Sequence, residues 1–299
     1  MTATTADSAP SATSAAPSRR APRPSRRRLT GRQVILAFVA YVIAMIFLLP
    51  YAEMVITALR PKNELLSPGY FPQHWDFSNF TSIWKLGFGA NILASLEVAG
   101  GATILVLLVA LPAAYYTARR RFRGRALFLL LVLSTQMFQP AAMLVGIQRE
   151  FISFGLPSPI LSLILVNAGF NLAFATWILN AYFSSIPAEL EEAAMVDGSG
   201  RLGALGRITL PLALPGIVTA LIFTFIGAWN EFLVALTLTL GAPNSRTPIT
   251  PAINSYIGQY SIDWGHLFAG SVIATIPVII LFAVIEGKVV SGLTAGSIK

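Results

Sequence analysis

Six apolar stretches dominate this chain, each near or above the ~20 residues an α-helix needs to cross ~30 Å of hydrocarbon. They run about Val34–Leu59, Ala90–Thr117, Ala126–Ile147, Ile160–Phe183, Leu212–Leu240 and Leu267–Val290. A bilayer interior offers no water to backbone N–H and C=O groups, so each stretch must satisfy its own hydrogen bonds as a helix. The expected fold class is therefore all-α, a polytopic membrane protein with six transmembrane helices. The first stretch is too long and too far from the N-terminus for a cleaved signal peptide. Only 11% of the residues are charged and 55% are hydrophobic. Soluble domains carry about 25% charged residues.

Residues 2–30 are rich in Ala, Ser, Thr, Pro and Arg and have almost nothing to bury. The expected division is a disordered, basic cytoplasmic extension over residues 1–33 and a transmembrane domain over 34–299. The positive charge is placed by topology. With the N-terminus inside, the inner segments hold Arg19, Arg20, Arg23, Arg26, Arg27, Arg28, Arg32, Arg119, Arg120, Arg121, Arg123, Arg125, Arg201, Arg207, Lys288 and Lys299. The outer loops hold Arg60, Lys62, Lys85, Arg149 and Arg246. This asymmetry satisfies the positive-inside rule and puts both termini in the cytoplasm of a cell-membrane protein. The basic N-terminus beside an apolar span thus reads as an orientation signal; membrane lipid is the expected partner, and nucleic acid is not. Aromatic outer-loop residues (Tyr70, Phe71, Trp75, Tyr256, Tyr260, Trp264) suit the membrane interface.

Catalysis and metal binding find little footing. There is no cysteine, and His74 and His266 stand apart near the outer surface without a ligand cluster, so neither a catalytic residue nor a metal site is expected. Gly198, Gly200 and Gly203 match G-x-G-x-x-G, but they follow a short helix and precede a membrane span, not a βαβ unit. No G-x-x-x-x-G-K-[ST] phosphate loop exists either; if ATP drives this protein, a partner must bind it.

The inner loop before the fifth span, residues 186–211, is too organised to be a simple connector. Pro187 suits a first helical turn, and Glu189, Glu191 and Glu192 lie where the helix dipole favours negative charge. Gly198 fits the left-handed position that ends a helix, and Ser199 can cap a second one. Two short helices with a tight bend are expected. Ala193 and Ala194 add almost no bulk, so another surface can approach them closely.

Glu192-Ala193-Ala194, then Gly198, Ile208, Leu210 and Pro211, give the spacing E-A-A-x₃-G-x₉-I-x-L-P. This resembles the EAA loop of binding-protein-dependent ABC importer permeases. Ala114-Tyr115 through Arg119, Phe122 to Arg125, Trp229 to Phe232 and the ending Gly292 to Lys299 are similar to the sugar-importing, maltose-permease-like branch. The resemblance covers about residues 34–299. It implies a type I ABC importer permease fold and a subunit of an ATP-driven importer for a sugar or oligosaccharide. It further implies that Glu192, Ala193, Ala194, Asp197, Gly198, Ile208, Leu210 and Pro211 form a coupling loop docked on an ATPase subunit. A tail with Gly292, Thr294, Gly296 and Lys299 would reach into the ATPase dimer. The implied partners are a second homologous permease, two ATPase subunits holding ATP and Mg, and an extracytoplasmic solute-binding protein; this chain itself is expected to hold no cofactor and to be no enzyme. The family's Asn-Ser pair early in the second helix is replaced by the separated Asn91 and Ser95.

Polar side chains inside the spans are costly, by about 2.5–3.5 kcal/mol for a central charge, so each needs a reason. Asn167, Phe170, Asn171 and Phe174 fall at i, i+3, i+4 and i+7 of the fourth span, one stripe of amides and aromatic rings. Glu97, Gln139, Asn230 and Glu231 fall at comparable depth on other spans. Amides and flat rings suit sugar hydroxyls and C–H faces, so these eight residues are the candidate substrate path; amides that hold helices together are the alternative. A permease for another small polar solute, or an ion-coupled secondary transporter using Glu97 or Glu231, are the competing functions.

Overall fold

The computed structural model describes residues 31–65, 69–120, 122–155, 158–241, 243 and 246–295, with side chains as far as Val284. Residues 50–299 form one compact unit, and the chain up to Leu49 is a second, described by itself. Helix α1, Gly31–Ala58, begins in that second unit. Its residues 31–50 are all exposed, the state in which an apolar helix meets lipid rather than water.

The compact unit is helical, with only an isolated β-bridge between Ile257 and Ile262 among the described residues. The elements are α2 (Ser78–Lys85), α3 (Phe88–Arg119), α4 (Arg125–Ser134), α5 (Pro140–Ser153) and α6 (Pro159–Ser185). There follow α7 (Glu189–Val196), α8 (Arg201–Ala204), a π-helical turn (Leu205–Thr209), α9 (Leu210–Leu212) and α10 (Leu214–Trp229). The chain ends with α11 (Leu233–Leu238), α12 (Ile249–Asn254) and α13 (Trp264–Ala295). Among them α1, α3, α6 and α13 are long and apolar enough to cross a membrane, and two further candidates are bent pairs, which makes six.

Those two pairs correct the expected continuous third and fifth spans. Arg125–Met137 and Pro140–Ser153 meet at 93°. Pro140 cannot donate to a preceding turn, and Gln139 before it takes the extended conformation that proline imposes, φ −74° and ψ 126°. Arg201–Leu212 and Leu214–Trp229 meet at 71°, with Pro215 in the first turn of α10. The expected fifth helix also stops at Trp229, because the Glu231 carboxylate accepts the N–H groups of Val234 and Ala235 (2.8 Å each) and starts α11. By contrast α3 runs through Pro112, and α13 through Pro277, as single helices.

The core is a three-helix seam of α3, α6 and α10. Ala110, Ala114, Ala175 and Ala220 are at most 1% exposed there and pack around Leu179 and Phe183. Small residues let backbones approach, which is how helices adhere where lipid gives no hydrophobic drive. Gly216 of α10 marks the closest approach: a Cβ there would lie 2.7 Å from Cβ of Tyr182. At the end of the bundle away from residues 186–211, a polar chain ties three segments. Asp263 lies 3.7 Å from Lys62 Nζ and 2.7 Å from His266 Nδ1, and His266 Nε2 lies 2.7 Å from Ser82 Oγ on α2.

Overpacking a filled seam costs roughly 1–3 kcal/mol. Gly216→Val should therefore lower the melting temperature of the purified protein in detergent by several degrees, whereas Gly146→Ala, where no heavy atom lies within 4 Å, should not. Equal melting of both variants with wild type would show the α6–α10 contact to be looser than described.

Candidate functional site

Helix α7 starts with Glu189, Glu191 and Glu192 in its first turn, so three carboxylates meet the positive end of the helix dipole. It ends in a Schellman turn: Gly198 holds φ +90°, its N–H donates to Met195 O (3.2 Å), and Ser199 N–H donates to Ala194 O (3.0 Å). The expected tight bend is present. The expected Ser199 cap is not, because Gly200 is the N-cap of α8 and makes no side-chain bond. Pro187 also stands outside the helix, ahead of the Ala188 N-cap.

The helical period divides the loop into two faces. Glu192, Ala193 and Val196 point outward, Val196 being 87% exposed. Ala194 and Glu191 point inward, at 8% and 7%. Ala194, expected as a point of close approach, is 8% exposed and lines a cleft of about 390 Å³ with Ala193, Asp197 and Ile208. Leu210 packs against the α3–α6–α10 core, and Pro211 is exposed in α9.

Glu191 is the residue that sequence reasoning missed. Its Oε1 accepts from Thr209 Oγ1 (2.6 Å) and Arg119 Nε (2.8 Å), and its Oε2 from Tyr115 Oη (2.9 Å). Arg119 Nη2 forms the ion pair at 2.7 Å, and Arg119 Nη1 donates to Ile186 O (2.8 Å). Burial alone would raise the carboxyl pKa; the hydrogen bonds from Thr209, Tyr115 and Arg119, with the Arg119 charge, outweigh it and hold the group below its ordinary value. Glu191 shares the face of Ala194, three residues on, but that this face turns inward is known only from the structure.

Gly292 and Thr294 lie on the backbone of α13, and Gly296 and Lys299 lie outside the described residues.

The candidate path does not converge as a single stripe. Asn167 is buried and donates to Leu163 O (2.9 Å); Asn171 donates to Asn167 O (2.9 Å), and a Cβ on Gly227 of α10 would lie 2.7 Å from its Oδ1. Each amide thus bonds within α6, and Asn171 also lies against α10 at Gly227. Phe174 meets Phe223 edge-on, with centroids 5.5 Å apart. Phe170 instead lines a cavity of about 850 Å³ between α6 and the bent α4–α5 pair, with Phe138, Met143 and Glu150. Glu97 and Asn230 are exposed, Gln139 stands exposed at the α4–α5 break, and Glu231 caps α11.

A bundle of membrane-crossing helices, with a short two-helix loop bonded to its packed seam, fits a membrane transport subunit. Residues 107–288 match the family described as "Binding-protein-dependent transport system inner membrane component", and the chain belongs to it. It is 32% identical over 272 residues to a trehalose/maltose transport system permease protein of Thermococcus litoralis, covering 90% of this chain and 97% of that one. A diacetylchitobiose uptake system permease protein of Streptomyces coelicolor is 31% identical over 260 residues, 86% of this chain and 85% of that one. Among solved structures, a bacterial ABC transporter involved in alginate import matches with TM-score 0.71 at 23% identity, over 89% of this chain and 99% of that one. The chain thus has the type I importer permease fold and is a multi-pass permease subunit of an ATP-driven ABC importer, not an ion-coupled carrier.

A carboxyl pKa lowered by folding stabilises the fold fully above the unfolded value of about 4.3, and that stabilisation is lost as pH falls through the lower folded value. Glu191→Gln should therefore lower the melting temperature equally at pH 6 and pH 8, and the gap should close only in stronger acid. A gap that changed between pH 6 and 8 would assign the effect to another group.

Proposed function

We propose that this subunit imports a disaccharide or short oligosaccharide, with residues 186–211 as the element that docks on an ATPase subunit. The observation that carries the coupling role is the loop's geometry: a dipole-stabilised helix, closed by Gly198 at positive φ, turns Glu192 and Ala193 outward on a rigid base. The sugar assignment is supported by relatives named for trehalose, maltose and diacetylchitobiose. In this reading the complex holds a second permease, two ATPase subunits with ATP and Mg, and a solute-binding protein, and both termini are cytoplasmic. Residues 1–33 are a cytoplasmic extension, and the tail from Gly292 to Lys299 reaches the ATPases. Glu97, Gln139, Asn167, Phe170, Asn171, Phe174, Asn230 and Glu231 remain path candidates, with Phe170 the best supported because it lines the cavity beside α4 and α5.

The chain carries no phosphate loop, so the purified subunit should hydrolyse no ATP alone. In lipid with its partners, hydrolysis should rise on adding the solute-binding protein with trehalose, maltose or diacetylchitobiose. Uptake of none of these sugars would remove the carbohydrate assignment.

A Cβ at positive φ costs roughly 1 kcal/mol or more, and a β-branched one is worst. Gly198→Val should tilt α7 and abolish uptake without reducing membrane insertion, with the ATPase either lost from a tagged permease or no longer stimulated. Normal uptake with full ATPase recovery would show that the loop does not couple.

A further inference from the structure

We propose that Glu191, which lies outside the E-A-A spacing, is the positioning residue through which the coupling loop moves the membrane helices. The proposal rests on the reading of residues 186–211 as the docking element. A helix of eight residues held only by its connections, Ile186–Ala188 and Asp197–Gly200, would yield to a push instead of transmitting it. Glu191 removes that freedom. One carboxylate, with its side chain 10% exposed, binds Tyr115 and Arg119 on α3 and Thr209 on the π turn that leads into α9 and α10. Through Arg119 Nη1 the same group reaches Ile186 O, the C-cap of α6. All three helices of the core seam are therefore tied to α7 at one point.

The donors are matched to the task. Arg119 supplies the charge, at 13% side-chain exposure, so neither ion can exchange its partner for water without opening the junction. Thr209 is fully buried and reaches Oε1 from the last residue of the π turn. An extra residue in a turn rotates what precedes it by about 100° relative to an α-helix, so the π geometry sets which face of the segment meets Glu191. Tyr115 is fixed in turn by edge-on contact with Phe183, at 5.8 Å between centroids. Glu192, the next residue, is exposed and so open to a docking surface.

The test uses the assembled complex in proteoliposomes. The permease is tagged, and the sugar is whichever of trehalose, maltose and diacetylchitobiose the wild-type complex takes up. Glu191→Gln and Thr209→Val should retain their ATPase subunits and still hydrolyse ATP, while sugar moved per ATP falls at least about fivefold, the size of a modest coupling between sites. The double variant should be no worse than Glu191→Gln alone, since both act through one junction. Backbone amides of residues 189–212 should also exchange with deuterium faster in Glu191→Gln, with the α3–α6 seam unchanged. Wild-type sugar per ATP in Glu191→Gln overturns the proposal. Should Glu191→Gln fail to assemble, a wild-type ratio in Thr209→Val and in Tyr115→Phe overturns it instead. Loss of the ATPase from the wild-type permease, or wild-type uptake without ATP, counts against the import reading itself and not against Glu191.

Discussion

A carboxylate taken out of water must find its hydrogen bonds in the protein, and the donors that reach Glu191 come from segments far apart in sequence. Tyr115 and Arg119 precede it by 76 and 72 residues, and Thr209 follows it by 18. Removing one partner of a buried pair leaves the other uncompensated, at a typical cost of 3–5 kcal/mol. The junction thus binds the loop to the seam more firmly than apolar contact with Ala194 or Leu210 could. It is also directional, because the Arg119 fork and the Thr209 hydroxyl accept one orientation of α7.

The bilayer constraint made most of the fold legible. Four of the six apolar stretches find helical spans close to their expected ends, as Ile160–Phe183 does in Pro159–Ser185. What hydropathy could not read was direction within an apolar run. Pro140 and Pro215 both begin new helices, while Pro112 and Pro277 sit inside unbroken ones. The difference lies in what satisfies the freed backbone groups. Such satisfaction comes from tertiary neighbours, and those are not local in sequence.

The loop was legible for a different reason. Its determinants are short-range: acidic residues in a first turn, a glycine at C′, and a Schellman pair of bonds that spans only six residues. The junction beneath it was not, because a run of three glutamates looks alike from the sequence. Only the register against Ala194 separates Glu191, at 7% exposure, from Glu189 and Glu192 on the outward side. The amide stripe stands as a proposal, and its amides are already engaged within α6. Asn167 and Asn171 share a face as expected, yet each spends a donor on the carbonyl four residues earlier. The Asn171 amide also fills the space beside Gly227 of α10, where a Cβ would lie 2.7 Å from its Oδ1.

Glu97 poses the remaining physical demand. It is exposed in the first third of α3, among Leu93 at 62% and Ile104 at 63% exposure. A carboxylate turned to hydrocarbon is costly, by about 2.5–3.5 kcal/mol at a helix centre and less toward its ends. Leu93 and Ile104 are content against lipid, but Glu97 is not, so this face of α3 favours a boundary with protein or with a water-filled path. A permease that works alone would have to fold that boundary from its own helices. One that pairs with a second permease can leave it open until the partner arrives, and a polar side chain stranded on an otherwise apolar face is what such a half-built path would present.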